Sequence, residues 1–268
     1  KENGGKHTAL NFALPYVKTD LVCSIDADTR ITREALKNIV SYFLNNPKIS
    51  AVGGNVLIGN PKTLVQRAQS VEYQMFSYTK KVLGLLGGVL VAPGAFSVFK
   101  VEALREIGGY RCAHNMEDLE LTYRLQKEGY MVEQSHNALA YTKGPDSIKT
   151  LFKQRLRWGY GFLNNTFDYR HLIFNKKYGN FGFFTLPLGL LSYIVILTVF
   201  TLSWVKIFGG LAEKIMLARL AGFDATLASF FSFDWFYINT EALSILTILA
   251  FFLIFVSFVF FSILFFLQ

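Results

Sequence analysis

Two stretches without a single Asp, Glu, Lys or Arg, residues 181–205 and 242–267, constrain this chain more than any other feature. Each exceeds the ~20 residues that an α-helix needs to cross ~30 Å of hydrocarbon, and each is long for a buried core helix. Pro187 and Gly189 fall near the start of the first stretch. A membrane helix tolerates both, because packing neighbours satisfy the freed carbonyls. Two membrane spans are expected.

The rest of the chain is of another kind. Over 268 residues the formal net charge is +8, although 52% of the chain is hydrophobic. Residues 1–180 hold 24 basic and 15 acidic side chains, a balance of +9. The remainder sets Lys206, Lys214 and Arg219 against Glu213, Asp224, Asp234 and Glu241, a balance of −1. A basic, water-compatible part thus precedes an apolar one, which excludes purely soluble, disordered, collagen-like and disulfide-rich secreted classes. Lys153, Arg155, Arg157, Arg170, Lys176 and Lys177 lie just before the first span, so the positive-inside rule puts the basic part in the cytoplasm. The segment 206–241, with Gly209-Gly210 and an apolar run containing Trp235 and Tyr237, connects the spans, and sequence alone leaves its topology open.

Cys23 and Cys112 are too few for a disulfide framework and sit in no metal-binding spacing; nor do His7, His114, His136 and His171. The basic part is expected in a reducing compartment. The chain begins at Lys1 with no initiator Met and no signal-peptide pattern, as a fragment or processed product would.

Within the basic part, strand and helix signals alternate. Residues 21–25 are a short apolar run that stops at Asp26-Ala27-Asp28. A helix follows from about Thr32, with Leu36, Ile39, Val40, Phe43 and Leu44 on one face. Residues 51–58 read as a strand, a helix opens near Glu117 and ends at Gly129, and residues 130–141 read as another strand. The apolar stretch 82–99 is broken by Gly84, Gly87, Gly88, Pro93 and Gly94, and reads as a buried strand and loop rather than a span. The pattern predicts an α/β fold, in which ligands bind beyond the carboxyl ends of strands.

Four groups of residues can carry chemistry, and each also has a plain structural explanation. Asp26 and Asp28, at i and i+2 after a strand, can reach one hard divalent cation, or simply face solvent in a loop. Glu117-Asp118 opens a helix, where carboxylates complement the helix dipole, or one serves as a general base facing a cleft. Gln154-Arg155-Leu156-Arg157-Trp158 lies on a basic amphipathic helix capped by Asp146 or Ser147 and running to about Phe167. Such a helix rests on anionic headgroups, or offers Arg to phosphate and Trp to a sugar face. Gly4-Gly5-Lys6 allows close backbone approach and places a point charge for phosphate, without the spacing of a P-loop.

The order of these pieces, ending in membrane spans, resembles glycosyltransferase family 2, and within it the processive membrane synthases of cellulose, chitin, hyaluronan and poly-N-acetylglucosamine. The resemblance implies a GT-A (Rossmann-like) nucleotide-sugar-binding domain over 1–145, an amphipathic interface region over 146–180 and a transmembrane region over 181–268. It implies inverting transfer from a nucleotide-sugar, usually a UDP-sugar, onto a growing β-linked polysaccharide. Asp26 and Asp28 match the metal- and diphosphate-binding D-x-D, which implies Mg2+ or Mn2+. Asp118 matches the general base, with Glu117 beside it toward the acceptor. Gln154, Arg155, Arg157 and Trp158 match the Q-x-x-R-W element, the first three toward the diphosphate and Trp158 toward the acceptor sugar. Lys6 falls where the family often has a nucleotide-contacting lysine, and Gly94 in a loop that borders the acceptor. The family's first strands, with a further uridine-binding Asp, have no counterpart here. The chain is therefore expected to be N-terminally incomplete and inactive alone.

Three other readings remain for comparison. A non-processive family member would add single sugars to a lipid or other acceptor. The basic excess suggests nucleic acid, but no binding module is visible and juxtamembrane charge already has a membrane explanation, so no nucleic-acid partner is expected. A transporter is disfavoured because the spans hold no ionisable residue.

Overall fold

The computed structural model describes residues 4–221, so the second expected span and residues 222–241 before it lie outside the described residues. Two compact units divide the chain, residues Lys1–Ile196 and Leu197–Gln268. In the first, strands β1 (Leu21–Ile25), β2 (Arg30–Ile31), β3 (Ile49–Ile58), β4 (Phe96–Lys100) and β5 (Met131–Thr142) form one sheet in the order β1-β4-β3-β5-β2. Only β3 and β5 run parallel; β1–β4, β3–β4 and β2–β5 are antiparallel. Helices α1 (Lys6–Ala13), α2 (Ala35–Asn45), α3 (Leu64–Leu85), α4 (Val101–Glu106), α5 (Glu117–Lys127) and α6 (Ile148–Asp168) alternate with the strands, and α7 (Leu186–Ala221) follows.

Local chemistry explains most of these boundaries. β1 matches the expected apolar run and ends where the acidic turn begins. α2 buries Ala35, Ile39 and Phe43, an i, i+4, i+8 stripe, against the sheet. Leu36 and Leu44, expected on that face, are 43% and 78% exposed: the stripe is one residue wide and they fall beside it. The cap of α6 is Ser147, whose hydroxyl accepts from the Thr150 N–H at 3.3 Å. α3 begins with a capping box, Thr63 Oγ1 accepting from Gln66 N at 3.2 Å and Gln66 Oε1 from Thr63 N at 3.3 Å. That helix runs through residues 82–85, which sequence assigned to a strand and loop; strand begins only at Phe96.

The sheet is covered on both faces. Ala35, Ile39 and Phe43 of α2 pack with Val52, Val98 and Ala140 on one, while Leu104, Leu121 and Leu125 of α4 and α5 pack with Ala51, Phe99 and Val132 on the other. A register shift between Ile49 and Ala51 lets Ile49 and Val52 share a face that regular alternation would deny them. A third cluster joins Leu119 and Tyr123 of α5 to Leu172, Phe181 and Leu186. There a π-helical turn, Phe181–Thr185, leads into α7, and Phe181–Val199 is long and apolar enough to cross a membrane, with 17% of it buried. The helix continues to Ala221, so residues 206–221 are helical rather than the start of a loop.

Candidate active site

The expected residues gather at one end of the sheet. Ile25 of β1 pairs with Phe96 of β4, and the Asp26 N–H donates to Ala95 O at 3.2 Å, which sets the acidic turn beside the Pro93-Gly94-Ala95 loop. α1 brings Lys6 to the same place. Its Nζ lies 2.5 Å from Asp26 Oδ1, 3.2 Å from Gly94 O and 3.6 Å from Glu117 Oε1. Burial works against this ammonium, yet the Asp26 hydrogen bond and charge, with Glu117 and Asp118 behind them, push its pKa above the usual lysine value.

Asp118, in the first turn of α5, completes the group. Its Oδ2 accepts from Gly94 N at 2.9 Å and its Oδ1 from Leu119 N at 2.9 Å. Removal from water raises its carboxyl pKa above the ordinary value, assisted by the Glu117 charge and opposed by those two N–H donors and by Lys6. Gly94 is held from both sides: a Cβ there would lie 3.1 Å from Asp118 Oδ2 and 3.1 Å from Lys6 Nζ. Lys6, Asp26, Gly94, Glu117 and Asp118 are thus one cluster.

The other members form a second group. Asp28 turns from Asp26, its Oδ1 accepting from Thr142 Oγ1 at 3.3 Å and Thr29 Oγ1 at 3.4 Å. On α6, Arg155 Nη2 donates to Glu72 Oε2 of α3 at 2.5 Å, and its guanidinium carbon lies 4.4 Å from the centre of the Trp158 ring. Arg157 is exposed. Gln154 Oε1 is a buried acceptor with no hydrogen-bond donor among the described residues. Gln154, Arg157, Trp158 and Gly161 share one helix stripe, and Gly161 packs on Met116, immediately before Glu117. That stripe therefore faces the start of α5.

Sequence reasoning missed the part played by α3. Besides Glu72, it supplies Tyr73, whose phenol pKa is raised by burial and senses Arg155, Glu72 and Asp28 together. It also supplies Lys80, lowered to about 8 by burial and opposed by the charge of Asp118. Residues 73, 77 and 80 recur at helical spacing on one side, the only signal that could have marked them. Also missed was the support beneath the site. Arg124 donates to Glu120 at 2.9 and 2.8 Å, to Gly109 O at 2.7 Å and to Ile107 O, while Tyr169 donates to Glu120 at 2.5 Å.

The oxygens around Lys6 Nζ suit a hard cation, since the ammonium already occupies an all-oxygen setting on Asp26. Among the described residues no three His, Cys, Asp or Glu side chains converge as a ready-made metal site. Protein carboxylates could thus supply only part of a coordination shell.

Comparison with known proteins bears on this arrangement. Poly-beta-1,6-N-acetyl-D-glucosamine synthase of Staphylococcus aureus is 31% identical over 162 residues, covering 60% of this chain and 39% of the relative. The synthase of the same name from Staphylococcus epidermidis is 32% identical over 160 residues, covering 59% and 39%. The match therefore spans well under half the length of these relatives. Among solved structures, the mannosyltransferase PcManGT from Pyrobaculum calidifontis, in complex with GDP-Man and Mn2+, aligns with a TM-score of 0.50. At 20% identity over 61% of this chain and 44% of that one, it supports the fold alone. The family model described as glycosyl transferase family group 2 matches residues 21–267, so the chain belongs to that family.

Proposed function

We propose that the protein is a membrane-embedded inverting glycosyltransferase that extends a β-linked polysaccharide from a UDP-sugar. The observation that carries this reading is the convergence of Asp118, Glu117, Gly94, Lys6 and Asp26 at one end of the sheet. Similarity to the staphylococcal synthases supports a polymer product of β-linked N-acetylglucosamine. On this reading residues 1–145 are the catalytic domain, 146–180 the interface region and 181–268 the membrane region.

The chemistry follows from the side chains. An acceptor hydroxyl attacks the anomeric carbon from the side opposite the diphosphate, forming the new C–O bond as the bond to the diphosphate oxygen breaks. Asp118 takes the hydroxyl proton, and burial makes its carboxylate a stronger base than a solvated one. The departing nucleoside diphosphate carries the electron pair, and Lys6 and Arg157 lie on the elements that would meet its charge. Gln154 offers its unpartnered oxygen to a sugar hydroxyl, and Trp158 its ring face to the acceptor. Asp26, which now pairs with Lys6, and Asp28, which would have to turn back from Thr142, are the residues that would hold Mg2+ or Mn2+; when bound, such a cation would neutralise diphosphate charge.

The membrane assignment draws on α6 and α7. Along α6 Ile148, Phe152, Leu156, Tyr160, Leu163 and Phe167 repeat every three or four residues and are exposed. Lys149 and Lys153 are interspersed among them, as suits a helix lying on anionic headgroups before a span. Membranes carrying the protein, offered a panel of UDP-sugars with Mg2+ or Mn2+, test the reading through released UDP and product size. A lengthening product from one donor is expected. Addition of one sugar only would move the protein to the non-processive members, and no donor-dependent UDP release across the panel would overturn the proposal.

A further inference from the structure

Arg155 and Arg157 are two residues apart on one helix, which rotates them by roughly 200° relative to each other. They cannot present themselves to one ligand from the same face. Arg155 is already engaged on both sides: Glu72 Oε2 accepts from its Nη2 at 2.5 Å, and the Trp158 ring covers its guanidinium at 4.4 Å. Both ends of the ion pair are partly shielded, with side-chain exposures of 27% for Arg155 and 38% for Glu72. A flat guanidinium suits this sandwich, because one plane can take a carboxylate at its edge and an aromatic ring on its face.

Glu72 is the anchor of the arrangement. It comes from α3, 83 residues earlier, and its contact fixes the Q-x-x-R-W turn of α6 against a helix that also carries Tyr73 and Lys80. The phenol of Tyr73, the adjacent residue, responds to the charges of Arg155, Glu72 and Asp28. A guanidinium neutralised by Glu72 has little charge left for a diphosphate, whereas Arg157 is exposed.

We propose that Glu72 is a positioning residue for sugar transfer: it holds Arg155 as a platform under Trp158, which fixes the indole for the acceptor sugar and leaves the diphosphate to Arg157. The inference rests on the transferase reading above and gives separate roles to Arg157, the arginine of the Q-x-x-R-W pattern, and Arg155, which fills one of its variable positions. Loss of Glu72 frees Arg155 and lets the indole swing. The acceptor chain is then held less well, while donor binding is untouched.

The test uses the full protein in membranes, with UDP-N-acetylglucosamine as donor and a β-linked N-acetylglucosamine oligomer as acceptor. Glu72→Gln keeps the volume and removes the charge; Glu72→Asp keeps the charge and shortens the reach. Expected for Glu72→Gln is an acceptor KM raised about tenfold, as loss of one charge-assisted hydrogen bond implies, with shorter products and an unchanged donor KM. Glu72→Asp should fall between Glu72→Gln and the unaltered protein. Arg157→Gln should instead raise the donor KM. A second readout needs no activity: in a background in which every other tryptophan, Trp204 and Trp235 among them, is replaced by Phe, acrylamide quenching of Trp158 should increase in Glu72→Gln. A donor KM raised by Glu72→Gln as much as by Arg157→Gln, or unchanged quenching with unchanged product length, overturns the inference. Absence of transfer by the unaltered protein sinks the transferase reading instead, and the quenching result still decides whether Glu72 holds the indole.

Discussion

Asp118 has both carboxylate oxygens engaged by backbone N–H groups and is nevertheless displaced upward in pKa, because burial outweighs those two bonds. Folding thus makes this carboxyl easier to protonate than it is in the unfolded chain. The stability this contributes is present below the ordinary carboxylate pKa and lost as pH rises through the raised value. The base form predominates only above that value, so the acid limb of the pH–rate profile should lie above the ordinary midpoint of ~3.9. Lys80, at about 8, is still mostly protonated at neutral pH and favours the ionised carboxylate. Lys80→Met should therefore move the acid limb to higher pH, and an unmoved limb would detach Lys80 from the site. At this scale the sequence was informative where a residue type and its spacing are tied to one task. Asp26, Asp28, Glu117, Asp118 and the Q-x-x-R-W element could all be read as candidates. Glu72, Tyr73 and Lys80 could not, because each acts through a partner far along the chain. The different surroundings of Arg155 and Arg157 are likewise set by α3 and not by their own motif.

α3 shows why a whole element can escape a hydrophobicity pattern. Its apolar Leu64, Val71, Met75, Tyr78 and Leu85 are exposed, while Gln66, Gln69 and Ser77 are buried, so its polar side faces inward. Gln66 and Gln69 donate to the carbonyls of Gly144 and Pro145, at 3.0 and 2.9 Å, and so tie α3 to the start of α6. Thr63 and Gln66 form its capping box. Thr63→Ala should destabilise the protein by about 1 kcal/mol, measured by denaturant unfolding. β1 and α5 were legible for the opposite reason: an apolar run ends at charges in one, and charges open the other. α5 then depends on a contact that its sequence shows only as Glu and Arg four residues apart. Glu120 and Arg124 are each 3% exposed and bind one another, two backbone carbonyls and Tyr169. Arg124→Met would leave the buried Glu120 carboxylate with only the Tyr169 hydroxyl and the longer Arg111 contact at 3.8 Å, and should cost about 3 kcal/mol. Combining it with Glu120→Gln should recover much of that loss; simple additivity of the two changes would show that the pair does not act as a unit.

Over the whole molecule, the division of charge is the property with the widest consequence. The basic 180 residues contain the α/β sheet and the acidic turn, and the apolar remainder begins with a helix long enough to span a bilayer. The fold class was legible because alternating strands and helices leave a period in the sequence. The mixed direction of the strands was not, since pairing between β1 and β4 joins residues some 75 positions apart that no local pattern relates. Family membership and the clustered carboxylates meet in one claim, that Asp118 is the base in a membrane glycosyltransferase. Its most direct test compares the full protein with Asp118→Asn in the same membranes, reading sugar transfer and metal-dependent UDP binding side by side. Transfer should fall by about 10²–10⁴-fold while UDP binding stays nearly unchanged. Near-normal transfer by Asp118→Asn would contradict the claim.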